Sequence, residues 1–187
     1  MLVENYRINT NYAKSLFLLA LDTDKLDIVF DDMKMVCDVC VENHVLNVVF
    51  ANPTIKESKK VAIVKDLFAA RVDKLTQLFL DFVVRKRRAV NLKGIALAYM
   101  EMYRKHKNIM LSELRTAIDV DGEIESMISE MIKEYTNMDV ELKTITDNTM
   151  LGGFCVSFDN NLYDARLRTQ IAKLRKEFSK NIYEKGI

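Results

Sequence analysis

Apolar residues over the first hundred positions recur every three or four residues, the spacing of one face of a helix. Between Tyr6 and Leu21 the set is Ile8, Tyr12, Leu16, Leu19 and Ala20, and Asp22-Thr23-Asp24 ends the run. A second stripe, Leu26, Val29, Phe30, Met33, Val36, Cys37 and Cys40, has Asp27, Asp31, Lys34 and Asp38 opposite it. Such a helix turns one face to a core and the other to water. A short apolar stretch from Val45 to Ala51 then meets Asn52-Pro53, which breaks the chain. Thr54-Ile55-Lys56-Glu57 has the spacing of a capping box and predicts a new helix, continued by Val61, Val64, Leu67 and Phe68. Another is expected from Asp73 with Leu75, Leu78, Phe79 and Phe82, and a last with Leu92, Ile95, Ala96, Tyr99, Met102 and Tyr103. The expectation for residues 1–106 is an all-α six-helix bundle, five helices long and one short, with brief connections.

After Asn108 the period falls to two. Leu114, Thr116, Ile118 and Val120 alternate with Arg115, Ala117 and Asp119, and Met138, Val140, Leu142 and Thr144 alternate with Asp139, Glu141 and Lys143, so both read as strands. Between them Ile124, Met127, Ile128, Met131 and Tyr135 define a helix that starts after Asp121-Gly122. Gly152-Gly153, a short strand, an Asp159-Asn160-Asn161 turn and a second short strand follow. A basic helix with Leu167, Ile171, Leu174 and Phe178 on one face ends the pattern. This order predicts a small α+β domain over residues 109–187 with a mixed four-stranded sheet, and a two-domain α+β chain as a whole.

Charge refines that division. The 28 Lys and Arg nearly balance the 27 Asp and Glu, so no global field draws the molecule to nucleic acid or an anionic membrane. Locally, residues 1–108 carry 18 basic and 13 acidic side chains, residues 109–163 carry 3 and 11, and residues 164–187 carry 7 and 3, which points to separate faces or partners. No window approaches the roughly 20 apolar residues that span a bilayer, and the N-terminus lacks the pattern of a signal peptide. Three cysteines are too few for a disulfide framework at this length, and an odd count fits a reducing compartment.

Candidate chemistry is sparse. Cys37 and Cys40 form a C-x-x-C with His44 a turn further on, but both thiols sit inside an apolar stripe and well into a helix, where cysteine acts as a small hydrophobe. Arg85-Lys86-Arg87-Arg88 is the alternative functional feature, a basic patch for a nucleic-acid-binding adaptor. It lacks interleaved aromatics, and cations at a helix end also complement the macrodipole. Neither His44 nor His106 has a recognisable catalytic partner, and Gly152-Gly153 lacks the Lys-Ser/Thr that completes a phosphate loop. A tight turn is the simpler reading of the glycines. The expectation is a non-enzyme with no cofactor and no metal.

Several separated segments nevertheless carry a resemblance. They are Tyr12-Ala13-Lys14 with Phe17, then Asn52-Pro53 with Lys60, then Arg88, Leu92 and Ile95. The most specific set is Val140, Leu142, Met150, Gly152, Gly153, Phe154 and Val156, followed by Asp164, Leu167, Arg168 and Ile171. In this order and spacing, over essentially the whole chain, they resemble the δ subunit of bacterial F-type ATP synthases, the family of the mitochondrial oligomycin-sensitivity-conferring protein. Two departures stand out: Arg166 occupies a position where the family commonly has a Ser that caps the final helix, and Leu78 precedes Phe79 where an Asn is frequent.

The resemblance implies a peripheral-stalk connector on the cytoplasmic face of the bacterial membrane, attached only through the complex. It would hold the catalytic head against counter-rotation, so that proton-driven rotation is coupled to ATP synthesis. Its implied partners are the N-terminal helix of an α subunit and the C-terminal region of the b subunit. Carried over residue by residue, the α-helix groove falls on Tyr12 and Ser15 of the first helix and Leu78 and Phe82 of the fifth, with Leu16, Leu75 and Phe79 as core. Gly152, Gly153, Asp164 and Arg168 are the family's structural motif in the second domain.

Overall fold

The computed structural model describes residues 2–158 and 161–179, with side chains from Tyr6 onward. The chain divides into two compact units, Met1–Lys107 and Asn108–Ile187. Among the described residues the first holds six α-helices: α1 (Leu2–Asp22), α2 (Leu26–Glu42), α3 (His44–Ala51), α4 (Glu57–Phe68), α5 (Lys74–Arg85) and α6 (Leu92–Lys107). A single 3-10 turn, Ala89–Asn91, leads into α6.

Helix α6 is the centre of this unit, and both α1 and α2 pack on it. Ala13, Leu16 and Ala20 of α1 and Val29, Met33 and Val36 of α2 are buried with Ile95, Ala96 and Tyr99 of α6. Small residues let the backbones approach. At Gly94 a Cβ would lie 2.1 Å from the Asn9 side-chain nitrogen, so a larger residue there would have to displace the Asn9 side chain. Two phenols add direction to this apolar packing. Tyr99 donates to the Leu26 carbonyl at 3.3 Å, and Tyr103 donates to the Asp27 carboxylate at 2.6 Å while its ring stacks on Phe30 at 4.2 Å.

The start of α4 departs from the capping-box expectation. Thr54 gives both its N–H and its hydroxyl to the Asn52 side chain, at 2.9 and 2.6 Å, and the helix begins three residues later at Glu57. An Asx turn before Pro53-Thr54 thus competes for the hydroxyl that would have capped the helix. Lys60, 9% exposed, donates to the Phe50 carbonyl at 2.8 Å and so satisfies a carbonyl at the end of α3.

In the second unit the elements are β1 (Ile109–Thr116), α7 (Gly122–Thr136), β2 (Asp139–Thr146), β3 (Phe154–Phe158), β4 (Asn161–Asp164) and α8 (Leu167–Ser179). The sheet is mixed, with order β2-β1-β3-β4; β1 pairs parallel with β2, while β1–β3 and β3–β4 are antiparallel. Strand β1 begins earlier than the alternation at Leu114–Val120 suggested, and Ile118 and Val120 fall in the loop before α7. Its pairing with β2 runs from Ile109 opposite Asp139 to Thr116 opposite Thr146, so the ladder and not the apolar alternation sets the end. Leu114 and Val156 face each other across the sheet and pack under Ile128 and Ile132 of α7. Asp159 and Asn160, part of the expected turn before β4, lie outside the described residues.

Candidate functional site

Helices α1 and α5 run antiparallel past one another. Lys25, just beyond α1, forms an ion pair of 2.9 Å with Asp73, just before α5, while further along the Tyr12 and Phe82 rings meet at 6.2 Å. Each helix turns one face inward. On α5 the buried residues are Thr76, Leu80, Val83 and Val84. Leu75 and Phe79, expected in the core, are half-buried.

The apolar row Leu78–Phe82 therefore faces away from the core: Leu78 is 71% exposed and Phe82 47%. Opposite, Tyr12 is half-buried and Ser15 exposed, and Leu18 and Leu19 lie exposed one turn on. Ser15 turns its hydroxyl back to the Asn11 carbonyl at 3.0 Å. Of these four residues Tyr12 and Phe82 meet through their rings, Leu78 lies one turn before Phe82 along α5, and Ser15 lies three residues after Tyr12 along α1. Fully burying a Leu or Phe side chain is worth about 1.5–3 kcal/mol, so this strip is a source of binding energy left unused by folding.

One residue that fixes α5 escaped the sequence reading. Asp32, 6% exposed, accepts from the Asp73 N–H at 3.0 Å and from the Thr76 hydroxyl at 2.6 Å. Asp73 in turn accepts from the Leu75 N–H at 3.0 Å, a regular N-cap. That backbone hydrogen bond and Lys25 hold its carboxyl below the usual range. The signal was present in the stripe of α2, where an acid stands between Val29 and Met33 among apolar positions; a buried carboxylate needs donors, and here it finds them at the start of α5.

Other sequence candidates resolve structurally. Cys37 and Cys40 are buried, and desolvation pushes both thiols up, Cys40 to about 11, away from the thiolate that metal or redox chemistry needs. His44 does not share their face, because α2 ends at Glu42 and His44 opens α3. Among the described residues no group of His, Cys, Asp and Glu is placed to hold a metal ion. In the basic run Arg87 adopts φ 59° and pairs with Glu57 at 2.8 Å, while Lys86 lies over the Phe82 ring at 5.6 Å. Two of the four cations are therefore used, one in a fold contact and one over an exposed ring of α5.

In the second unit the glycine pair makes a close chain crossing. At Gly153, φ 81°, a Cβ would lie 2.4 Å from the Ala165 carbonyl oxygen. Gly152, φ 150°, accepts the Leu167 N–H at 3.1 Å and would otherwise meet the Leu167 side chain. Asp164 holds the turn entering α8: it accepts from the Arg166 N–H at 3.0 Å and the Thr169 hydroxyl at 2.9 Å. Arg166 grips the same carboxylate through Nε and Nη2, at 2.9 and 2.6 Å, and holds it well below the usual carboxylate range. These contacts fix the turn into α8, while the helix's own first N–H, that of Leu167, goes to the Gly152 carbonyl. Arg168 is exposed and borders a cleft of about 230 Å³ with Asp147, Met150 and Arg166. Along α8 Leu167, Ile171, Leu174 and Phe178 are exposed, and none of its described residues is buried. No helix among the described residues is long and apolar enough to cross a membrane.

Comparisons with known proteins match this chain along nearly its full length. The ATP synthase subunit delta of Parabacteroides distasonis is 30% identical over 174 residues, covering 93% of this chain and 97% of that protein. That of Lactobacillus johnsonii is 28% identical over 182 residues, covering 97% and 100%. A chain of the Toxoplasma gondii mitochondrial ATP synthase hexamer, solved by cryo-electron microscopy, shares the fold with a TM-score of 0.69 at 18% identity, over 91% of this chain and 97% of that one. The model of the ATP synthase delta (OSCP) subunit family matches residues 8–178, and this chain belongs to that family.

Proposed function

We propose that the chain is a non-catalytic connector of the ATP synthase peripheral stalk, at the cytoplasmic face of the membrane. In this reading the α1–α5 surface holds the N-terminal helix of an α subunit, and the second unit meets the C-terminal region of the b subunit. The observation that carries it is the Leu78–Phe82 row, apolar and exposed on a helix whose opposite face is buried. A partner helix with anchors at i, i+3, i+4 and i+7 fits such a surface. Burial of those anchors gives a slow-dissociating grip, which a stator needs if the head is not to turn with the shaft. The exposed face of α8 offers the second unit a similar means of attachment, through Leu167, Ile171, Leu174 and Phe178.

The test is Phe82→Asp with a synthetic peptide of the α-subunit N-terminal segment. Wild type is expected to bind at micromolar concentration or tighter, and the variant to lose binding while its circular dichroism stays native. Unaltered binding by the variant would remove Phe82 from the site. An unfolded variant would place Phe82 in the core.

A further inference from the structure

We propose that the α1–α5 groove takes its helical partner asymmetrically, with acidic side chains of that partner set against Arg85 and Lys86. The inference rests on the reading of the groove as a helix-binding site and adds the charge pattern of what it binds. Leu78 and Phe82 of α5 and Lys86 at its C-terminal end follow at i, i+4 and i+8, and Arg85 stands three residues after Phe82, so one face runs from apolar to cationic. From Leu78 to Lys86 the ridge is roughly 12 Å long, about two turns of a partner helix.

The two ends of this ridge differ in how their charges are used. At the start of α5 Lys25 and Asp73 are already mated at 2.9 Å. At the far end Arg87 is spent on Glu57, but among the described residues neither Arg85 nor Lys86 has a carboxylate partner. Lys86 instead rests over the ring of Phe82, itself part of the groove wall. Cations near a helix C-terminus complement the macrodipole, and Arg85 in the last turn does so. A second cation lying on the groove's own aromatic wall goes beyond that role. A bound helix would cover Phe82 and bring its own side chains beside the Lys86 ammonium, where an acid is favoured and a base repelled.

The experiment uses the full chain and the same α-subunit N-terminal peptide, with association and dissociation rates measured from about 50 mM to about 500 mM salt. For Arg85→Glu with Lys86→Glu the expected result is an association rate lowered about tenfold at low salt and a flattened salt dependence, with dissociation little changed. Arg85→Gln with Lys86→Gln, which adds no repulsion, should fall between. A peptide with its acidic residues changed to Gln should lose the same factor on wild type and little more on the doubly reversed variant. Unchanged rates and salt slope in both variants would overturn the charge pattern and leave the apolar groove standing. Failure of the wild-type chain to bind the peptide at all would overturn both.

Discussion

The two units solve the problem of burying apolar surface with very different reserves. In the helical unit, residues of α1 and α2 close around α6, and Tyr99, Phe68, Leu16, Met33, Leu80 and Ile95 are almost wholly enclosed. In the second unit the core is Leu114, Ile128, Ile132 and Val156, with one helix packed over one face of the sheet. The opposite face carries Glu113, Arg115, Ser157 and Leu162, and α8 buries none of its described residues. The lesson concerns where unused apolar area can be tolerated. The helical unit can leave a strip such as Leu78–Phe82 exposed because enough else is covered, whereas the second unit is thinly covered for its size, and small domains have little stability to spare.

The largest expected effect breaks the comparison if it fails. Leu114→Ala should cost about 3 kcal/mol, as leucine truncation in a core does, and should open the second unit in hydrogen exchange while the helical unit stays protected. The matching Leu16→Ala should leave its unit folded. Equal loss of protection in the two would mean that their reserves are alike. Next, Gly153→Ala should cost about 2 kcal/mol, since it adds strain at positive φ and drives a Cβ against a backbone oxygen. Gly152→Ala should cost less, because the atom it meets belongs to the Leu167 side chain, which can turn away. The order of the two midpoints in urea checks this.

The smallest effect is a dependence on alkaline pH. Desolvation, with the Asp27 hydrogen bond and charge, pushes the Tyr103 phenol up to about 12, and burial raises Tyr99 further. Unfolded tyrosine releases its proton near pH 10 (about 10 in model peptides). Above that pH the unfolded chain therefore holds fewer protons than the native one, and stability falls as pH rises toward 12. Cys37 and Cys40 act in the same direction in this unit, against Cys155 alone in the second, whose Tyr135 and Tyr163 are exposed. Hydrogen exchange followed from pH 8 to pH 11 should show the helical unit losing more; an equal loss would erase that contrast.

Much of this molecule was legible from residue order. The stripe of α2 foretold Val29, Met33, Val36, Cys37 and Cys40 as buried, and the change of period after Asn108 foretold where helices give way to strands. The residues that carry the family resemblance are chiefly those that hold the fold: Ala13, Leu92 and Ile95 in the core, Lys60 on the end of α3, Gly153 at the chain crossing and Asp164 in the turn before α8. The exposed face of α5 was harder to read. Helical spacing groups Leu75, Leu78, Phe79 and Phe82 into one stripe, yet α5 presents Leu80, Val83, Val84 and Thr76 to the interior. With apolar residues around most of its circumference, the period of α5 could not say which side faces in.

What the sequence by itself determined is the set of local choices: helix or strand, and which residues are apolar enough to be buried. Backbone hydrogen bonding and side-chain spacing act over a few residues, so they are written in a short window. Only the tertiary structure decided how α5 is rotated about its axis and therefore what it shows to a partner. That rotation is set by contacts far apart in sequence, Asp32 with Thr76 and Lys25 with Asp73, and by the crowding of α5 against its neighbours. No local pattern contains them, because each pairs residues that become neighbours only when the chain has folded.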